Sequence, residues 1–288
     1  MKAEEASEKE QTELISADNS EGSSSLPVYE APQPRGEAPK GQKKIGKADL
    51  HMHTTASDGM GTVEEVLEWV EYNTDLDVIA ISDHDEIRGA WAARELAAKR
   101  HYRFEIIMAQ EVTSRHGHVL IYGVEEPFRM FQSLEQTVAW AHDRGGVVVI
   151  PHPLSYMTLS VGESKLRSLF SHKMAVDGIE ILNPTVAGYV RRERVKEVND
   201  QEWHLAEIGN SDAHFPRHIG TAYTSFEGQT AAELLEAIKN RTTTPHGRYL
   251  SIKEQLQGAG KQNLRSLVVL PADKIRRGVA TFSRRKLK

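Results

Sequence analysis

Two histidines and an aspartate stand close together in the stretch KADLHMHTTASDG, which spans residues 47–59. His51 and His53 lie two residues apart at the end of a predicted strand, and Asp58 follows in a turn of Thr, Ser and Gly. Side chains at positions i and i+2 of a strand point to the same face. The two imidazoles can therefore bind one metal ion, with the carboxylate close by.

Further imidazoles and carboxylates stand at the ends of other predicted strands. In chain order these candidates are His84, Glu111, His118, His152, Asp212 and His214. Taken alone, each also suits an ordinary role, such as a His before Pro in a turn or a Glu in a solvated loop. Burying all of them without a charge partner would be costly, whereas metal ions neutralise carboxylates and pair with imidazoles. The set as a whole predicts a metal centre.

The elements that must position these residues alternate between short β-branched runs and amphipathic helical runs. The predicted strands are KADLHMH, DVIAISDHD, FEIIMAQEV, HVLIYGV, GVVVIPHP, GIEILNP and LAEIGNSDAH. The predicted helices cover residues 62–73, 89–100, 133–144, 164–175, 188–202 and 230–240. This alternation indicates an α/β fold, either a barrel of seven units or an open doubly wound sheet. In a barrel, the strand ends face one mouth and bring the candidates together.

Composition sets the broad class of the protein. The chain has 288 residues, no cysteine and a formal net charge of −5. Without cysteine it can form no disulfide, zinc finger or iron–sulfur site, and the charge is too small to indicate a nucleic-acid partner. No apolar stretch approaches the roughly 20 residues of a membrane span, and the N-terminus lacks the apolar region of a secretory signal. We therefore expect a cytoplasmic protein without membrane contact.

The two ends of the chain differ from its middle. Residues 1–44 are rich in Glu, Ser, Pro, Lys and Gly and lack apolar periodicity, which predicts a disordered tail. Residues 251–288 form a basic extension, and its last stretch, PADKIRRGVATFSRRKLK, has seven Lys or Arg against one Asp. We interpret this stretch as a solvated tail, with weak attraction of anions or nucleic acid as the alternative.

As an ordered series, the motifs resemble those of the PHP superfamily, the polymerase and histidinol phosphatase domain. DLHMHTTASDG, ISDHDEIRG, AQEV, GHVLIYG, PHP and SDAH follow the order of that family. GIEILNP and SDAHFPRHIGTAYTSF resemble the PHP-associated C-terminal region of its small stand-alone members. The resemblance implies a PHP domain over residues 45–250, folded as a distorted (β/α)7 barrel.

The resemblance also implies a trinuclear centre of divalent metal ions, either Zn, Mn or Fe. The implied ligands are His51, His53, Glu111 and Asp212 for the first ion, Glu111, His118 and His152 for the second, and Asp58, His84 and His214 for the third. Position 58 is His in some members of the family and Asp in others. Because all nine positions carry a competent ligand, we expect an active centre rather than a degenerate one.

The implied activity is the hydrolysis of phosphate esters. Two ions bridged by Glu111 would lower the pKa of a shared water and give a hydroxide nucleophile, and the third would bind the phosphoryl oxygens. The expected substrate is a nucleotide, a short oligonucleotide or a small phosphorylated metabolite. Some nucleotide-specific relatives insert a small domain before the fifth strand. Here about 28 residues separate Gly117 from Gly145, so we expect a more open pocket.

Three alternatives remain. Within the family, the protein would be a monoesterase like histidinol phosphatase. Amidohydrolases also begin with His-x-His on a barrel strand, but they bridge their metals with a carboxylated Lys, and the third and fourth strands here offer Glu111 and His118 instead. The third alternative is a metal-stabilised binding module without catalysis.

Other polar residues near these motifs receive secondary roles. Asp83 and Asp85 flank His84 and are expected to support the ligands rather than to bind metal. His218 is a candidate for contact with substrate. The arginines considered for the substrate phosphate are Arg88, Arg191, Arg192 and Arg217.

Overall fold

The computed structural model describes residues 44–257 and 259–266. The predicted tail of residues 1–44 lies outside the described residues except for Lys44, and the basic stretch of residues 271–288 lies outside them entirely. In the part of the chain that is described, no helix combines the length and the apolar character needed to cross a membrane.

Nine strands are found within the described residues. They are β1 (Ile45–Asp49), β2 (Val78–Ile81), β3 (Glu105–Ser114), β4 (Gly117–Tyr122), β5 (Val147–Ile150), β6 (Gly178–Leu182), β7 (Ala206–Gly209), β8 (Ala222–Glu227) and β9 (Thr244–Gly247). They form one sheet in the order β7-β6-β5-β4-β3-β2-β1-β8-β9. Each of the seven predicted strands is present, and β8 and β9 are additional. The segment TPHG of β9 gives a weak strand signal because Pro cannot donate a ladder hydrogen bond.

The strand directions explain why a residue at the start of β4 can join residues at the ends of other strands. β1, β2 and β3 pair in parallel, as do β5, β6 and β7. β4 runs antiparallel to both of its neighbours, since Arg115 and His116 alone connect it to β3 and a parallel crossover needs a much longer connection. The first residues of β4, including His118, therefore lie beside the carboxyl end of β3.

The sheet curls into a nearly closed barrel, which confirms the predicted distorted barrel. Beyond the ends of β1 and β7, Met52 and Ala213 form a parallel bridge. The Ala213 carbonyl accepts a 2.9 Å hydrogen bond from the His53 amide, and the Ala213 amide donates a 3.2 Å bond to the His51 carbonyl. Near the other end, the Thr224 hydroxyl of β8 bonds both backbone groups of Gly209.

Five of the six predicted helices are present, the remaining one is broken, and the last two helices of the described chain were not predicted. Among the described residues they are α1 (Val63–Asn73), α2 (Arg88–Arg100), α3 (Leu134–His142), α4 (Glu163–Ser171), α5 (Val186–Tyr189), α6 (Arg192–Val198), α7 (Ala231–Lys239), α8 (Ile252–Leu256) and α9 (Ala259–Leu264). Thr62 and Ser133 each form a capping box, at the start of α1 and α3 respectively. The predicted helix over 188–202 is instead broken, because Arg191 leaves helical geometry between α5 and α6, and a π-helical turn follows at Asn199–Trp203.

The core lies in the barrel interior and between the sheet and its helices. Successive side chains of β2 point alternately into these two regions. Val78 and Ala80 belong to the interior cluster, and Ile79 and Ile81 pack toward α1 and α2. Such burial stabilises the fold by about 1.5–3 kcal/mol for each large apolar side chain. Leu234 of α7 joins the interior cluster, and α7 contacts β3, β5, β7 and β8, so that this helix closes one end of the barrel.

Candidate metal centre

The structure brings all nine predicted site residues together at the mouth of the barrel. They are His51, His53, Asp58, His84, Glu111, His118, His152, Asp212 and His214. Seven of the nine are buried, and His84 and His214 are partly exposed. Glu111 lies within β3, His118 is the second residue of the antiparallel β4, and the other seven follow the ends of β1, β2, β5 and β7. The strand ends therefore deliver residues from distant parts of the sequence to one small volume.

Four side chains converge at the base of this cluster. The Nε2 atoms of His51 and His53 lie 3.1 and 3.3 Å from Oε2 of Glu111. The same two atoms each lie 3.4 Å from Oδ1 of Asp212. Ligands bound tetrahedrally at about 2.0–2.2 Å from one ion are about 3.3–3.6 Å apart. The four atoms therefore have spacings close to those of a first ligand set.

Glu111 faces a second group of imidazoles with its other oxygen. Its Oε1 lies 2.9 Å from Nδ1 of His118 and 3.2 Å from Nε2 of His152. The Glu111 carboxylate is fully buried between this group and the pair of His51 and His53. One carboxylate thus offers each of its oxygens to a different set of nitrogens, which is the arrangement that a bridging ligand requires.

A third group lies closer to solvent. Oδ2 of Asp58 is 3.2 Å from Nε2 of His214 and 3.8 Å from Nε2 of His84. The His53 ring lies between these two imidazoles, with ring centroids 4.6 Å from His84 and 4.3 Å from His214. His84 also places Nδ1 3.1 Å from Oε2 of Glu111, so it connects the third group to the bridging carboxylate.

Several of these nitrogens are buried without a hydrogen-bond partner among the described residues. They are both ring nitrogens of His53 and Nδ1 of His118. A buried polar atom left unpaired costs about 1–3 kcal/mol. All three of these atoms face carboxylate oxygens within ion-pair distance. A cation between nitrogen and carboxylate would satisfy both, so the residues present fit a group of divalent ions.

The charges of the cluster shift the pKa values of its members. Burial lowers the pKa of His51, but the carboxylates of Asp212, Glu111 and Glu180 prevail and raise it well above its ordinary value. Burial raises the pKa of Glu111, yet the surrounding imidazoles bring it well below its usual range. For His214, the Asp58 carboxylate overcomes burial and raises the pKa to about 9. Ionised carboxylates therefore lie beside two protonated imidazoles, those of His51 and His214, whose protons a metal ion can displace.

Glu180 is a buried carboxylate that sequence reasoning missed. It lies in β6, and its Oε1 is 2.8 Å from Nδ1 of His51 and accepts a 2.9 Å bond from the Asn210 amide nitrogen. Its Oε2 accepts bonds from the backbone amide of His152 at 2.7 Å and from the Asn183 side chain at 2.9 Å. The available signal was a single acidic residue inside the apolar strand GIEIL.

Asp83 and Asp85 have the supporting contacts predicted for them. Asp83 accepts 2.7 Å hydrogen bonds from the amide and hydroxyl of Thr54 and a 2.5 Å bond from the Ser57 hydroxyl. Asp85 accepts bonds of 2.7 and 2.9 Å from the amide and hydroxyl of Thr113. Asp83 therefore holds the turn that carries Asp58.

A cavity of about 490 Å³ lies over the cluster. Its walls include Met157, Val186, Phe215 and His218, so His218, the candidate for substrate contact, lies beside the site. Three of the four candidate arginines have other partners: Arg88 pairs with Glu86, Arg192 stacks on Tyr189 and Arg217 donates to the Gln257 carbonyl. The C-terminal extension forms a further wall of the cavity, through Gln255, Gln262 and Ser266. The sequence did not suggest this wall.

Parts of this chain are similar in sequence to known proteins. Residues 199–243 match a family described as PHP-associated. An uncharacterised protein of Methanocaldococcus jannaschii is 29% identical over 149 residues, which cover 48% of this chain and 81% of that protein. The phosphoribosyl 1,2-cyclic phosphate 1,2-diphosphodiesterase of Eggerthella lenta is 37% identical over 84 residues, which cover 27% of this chain and 31% of that enzyme.

The fold is also similar to a solved structure. A two-domain protein of Bacteroides vulgatus, which contains a predicted PHP-like metal-dependent phosphoesterase, superposes with a TM-score of 0.60 at 20% identity. The match covers 81% of this chain and 75% of that one. The motif order, the PHP-associated match and the barrel support the resemblance to the PHP superfamily that the sequence motifs indicate.

Proposed function

We propose that this protein is a metal-dependent phosphoesterase that hydrolyses a nucleotide, a short oligonucleotide or a small phosphorylated metabolite. The observation that carries the proposal is the placement of Glu111, which turns one oxygen to His51 and His53 and the other to His118 and His152. Neighbouring cations that share a carboxylate are typical of enzymes that displace a phosphate ester. The names of the Eggerthella and Bacteroides proteins support the same class of reaction.

The domain responsible for this activity would span residues 45–250, followed by the extension of residues 251–288. It would hold three divalent ions, of Zn, Mn or Fe, in the three ligand sets that the PHP resemblance implies. Nitrogen and carboxylate ligands without sulfur suit these metals. When bound, such ions supply Lewis acidity and lower the pKa of a coordinated water.

The residues of the chain itself supply orientation and access. Glu180 fixes the Nδ1 side of His51 and leaves Nε2 facing Glu111 and Asp212. His84 and His214, the partly exposed members of the cluster, border the cavity. At about 490 Å³, the cavity falls within the range of small-molecule sites. A phosphate ester can therefore approach the cluster from the side of His84 and His214.

Hydrolysis of chromogenic phosphate mono- and diesters by the Mn²⁺-loaded protein tests this proposal, together with metal analysis. We expect ester hydrolysis in the wild type and loss of both metal and activity in His51→Ala. His172→Ala is the matched control, because His172 is an exposed histidine that follows α4. A screen of phosphorylated metabolites and short RNA oligomers then identifies the preferred substrate.

The outcomes separate the alternatives. Bound metal without hydrolysis of any ester would favour a non-catalytic module, and hydrolysis of amides instead of esters would favour an amidohydrolase. Unchanged hydrolysis in His51→Ala would overturn the assignment of the site. A strong preference for small monoesters would favour the monoesterase alternative within the family.

A further inference from the structure

The part of the chain that follows the barrel lies beside the metal cluster. This part, the C-terminal segment, comprises residues 251–257 and 259–266 and contains α8 and α9. Gln255 of α8 and Gln262 of α9 line the cavity, as does Ser266. The C-terminal segment therefore forms a wall of the same cavity whose floor is the cluster of imidazoles and carboxylates.

The first half of the C-terminal segment is fixed to the far wall of the cavity. Oε1 of Gln255 accepts a 3.0 Å hydrogen bond from the Val186 amide at the start of α5. The carbonyl of Gln257 accepts a 2.7 Å bond from the Arg217 guanidinium. Both contacts lie outside the metal cluster and anchor the segment at the rim of the barrel.

The second half reaches the turn between His53 and Asp58. The Arg265 guanidinium donates to the Thr55 carbonyl at 2.6 Å and to the Ser57 carbonyl at 3.1 Å. The Ser266 hydroxyl donates a 2.9 Å bond to Oδ2 of Asp58. Because a guanidinium presents its donors in a rigid fork, it can fix the relative positions of two carbonyls.

Asp58 needs such support more than Glu111 does. Glu111 belongs to a strand, whereas Asp58 is carried by a turn whose neighbour Thr55 is exposed. Asp83 bonds this turn through Thr54 and Ser57 from the barrel side, and Arg265 bonds it from the side of the C-terminal segment. A carboxylate oxygen has two lone pairs, so Oδ2 can accept from Ser266 and still face a cation.

We propose that Arg265 and Ser266 are positioning residues, which hold the turn so that Asp58 can bind the third cation beside His84 and His214. The C-terminal segment is then part of the active site rather than an appendage. The effect on catalysis rests on the proposed function, whereas the effect on cation binding does not. Neither residue needs to touch the substrate.

The test uses the full chain with Arg265→Ala, Ser266→Ala and Arg265→Lys, and Lys261→Ala as the control. Lys261 is an exposed cation on α9, the helix that precedes Arg265. Calorimetric titration with Mn²⁺ measures the affinity of each ion, and hydrogen exchange of the metal-free protein reports on the turn of residues 54–58. Thermal unfolding of each variant confirms that it is folded.

In Arg265→Ala and Ser266→Ala we expect the weakest-bound Mn²⁺ to lose about 10-fold in affinity, the lower end of the range for losing a partner of a metal ligand. Exchange in the turn should rise in Arg265→Ala, Arg265→Lys should lose less affinity, and Lys261→Ala should match the wild type. With an ester substrate, kcat should fall at limiting Mn²⁺ and recover at high Mn²⁺, because the lost function is cation binding.

Unchanged Mn²⁺ affinity in both alanine variants would overturn the proposal. Tighter Mn²⁺ binding with faster hydrolysis would also overturn it, because that result would mean that the C-terminal segment blocks the site. A weaker third ion in a protein that hydrolyses no ester would support the positioning role and overturn the phosphoesterase. A wild type that binds fewer than three ions would overturn the positioning role, even if that protein hydrolyses esters.

Discussion

Nδ1 of His51 lies 2.8 Å from Oε1 of Glu180, and both side chains are fully buried. This contact fixes how the imidazole can act. When Nδ1–H donates to the carboxylate, Nε2 keeps its lone pair and faces Glu111 and Asp212. A residue within β6 thereby determines which nitrogen of His51, two residues beyond the end of β1, is presented to a metal ion.

Replacing Glu180 with Gln should weaken metal binding while leaving the fold intact. The amide keeps the size of the side chain, but one acceptor oxygen becomes a donor that opposes the donors around it. We expect Mn²⁺ affinity to fall about 10- to 100-fold and the free energy of unfolding to fall by about 1–3 kcal/mol. Calorimetric titration and urea denaturation measure the two effects.

Glu207→Gln is the control for this variant, because Glu207 lies on the adjacent strand β7 and pairs with Lys196. Its substitution should leave the affinity for Mn²⁺ unchanged. Equal losses of affinity in the two variants would show that the contact between Glu180 and His51 has no particular role.

Gly89→Ala should destabilise the protein although alanine favours helices. A Cβ at this position of α2 would lie 2.0 Å from Oδ2 of Asp83, which holds Thr54 and Ser57. Alanine gains about 1 kcal/mol in helix propensity, but displacing buried groups typically costs about 1–3 kcal/mol. We expect a net loss of stability in urea denaturation and weaker Mn²⁺ binding through the displaced turn.

The matched control is Gly162→Ala, where no heavy atom among those described lies within 4 Å of the added Cβ. Gly162 is the N-cap of α4 and its φ of −78° suits alanine. Its unfolding free energy should change by less than about 1 kcal/mol. If both alanine variants behave alike, the close approach of Gly89 to Asp83 is unimportant.

Residue type and strand alternation are enough to predict where the chemistry lies. His51, Glu111 and Asp212 can be found because each is a polar residue directly after or within the end of an apolar strand. The rule that strand ends meet at the barrel mouth then predicts their proximity, and the structure places oxygens of Glu111 and Asp212 3.1 and 3.4 Å from Nε2 of His51.

The remaining features depend on contacts that the sequence does not encode locally. Glu180 is a single acidic residue within a strand, and its role follows from the imidazole opposite it. Ser266 lies 208 residues from Asp58 in the chain, in a segment with no motif of its own. Such contacts follow from the closure of the barrel and the path of the chain after it.

Metal binding should release protons at neutral pH. The pKa of His214 is raised to about 9 in the metal-free protein, so this imidazole is protonated at pH 7 and must lose its proton to bind a cation. Affinity should therefore rise from pH 7 to pH 9 by up to about tenfold per unit for each proton displaced, and fall as the pH is lowered. Calorimetry in buffers of different ionisation enthalpy counts the protons.

His84 provides the comparison for this measurement. Burial lowers its pKa to about 4, so it is neutral at pH 7 and has no proton to release. His84→Asn should weaken binding without changing the proton count at pH 7, whereas His214→Asn should reduce that count. Binding enthalpies that do not depend on the buffer would contradict the protonated state of His214.

Removal of metal should lower the stability of the whole barrel, because the cluster joins the ends of β1, β3, β5 and β7. Ions that bind the folded state at 1,000 times their Kd stabilise it by about 4 kcal/mol per site. We expect a chelator to lower the Tm of the wild type and Mn²⁺ to restore it. In Asp212→Asn, which removes the charge facing both His51 and His53, the response to Mn²⁺ should shrink. A wild-type Tm that is the same with chelator and with Mn²⁺ would show that these side chains satisfy one another without a cation.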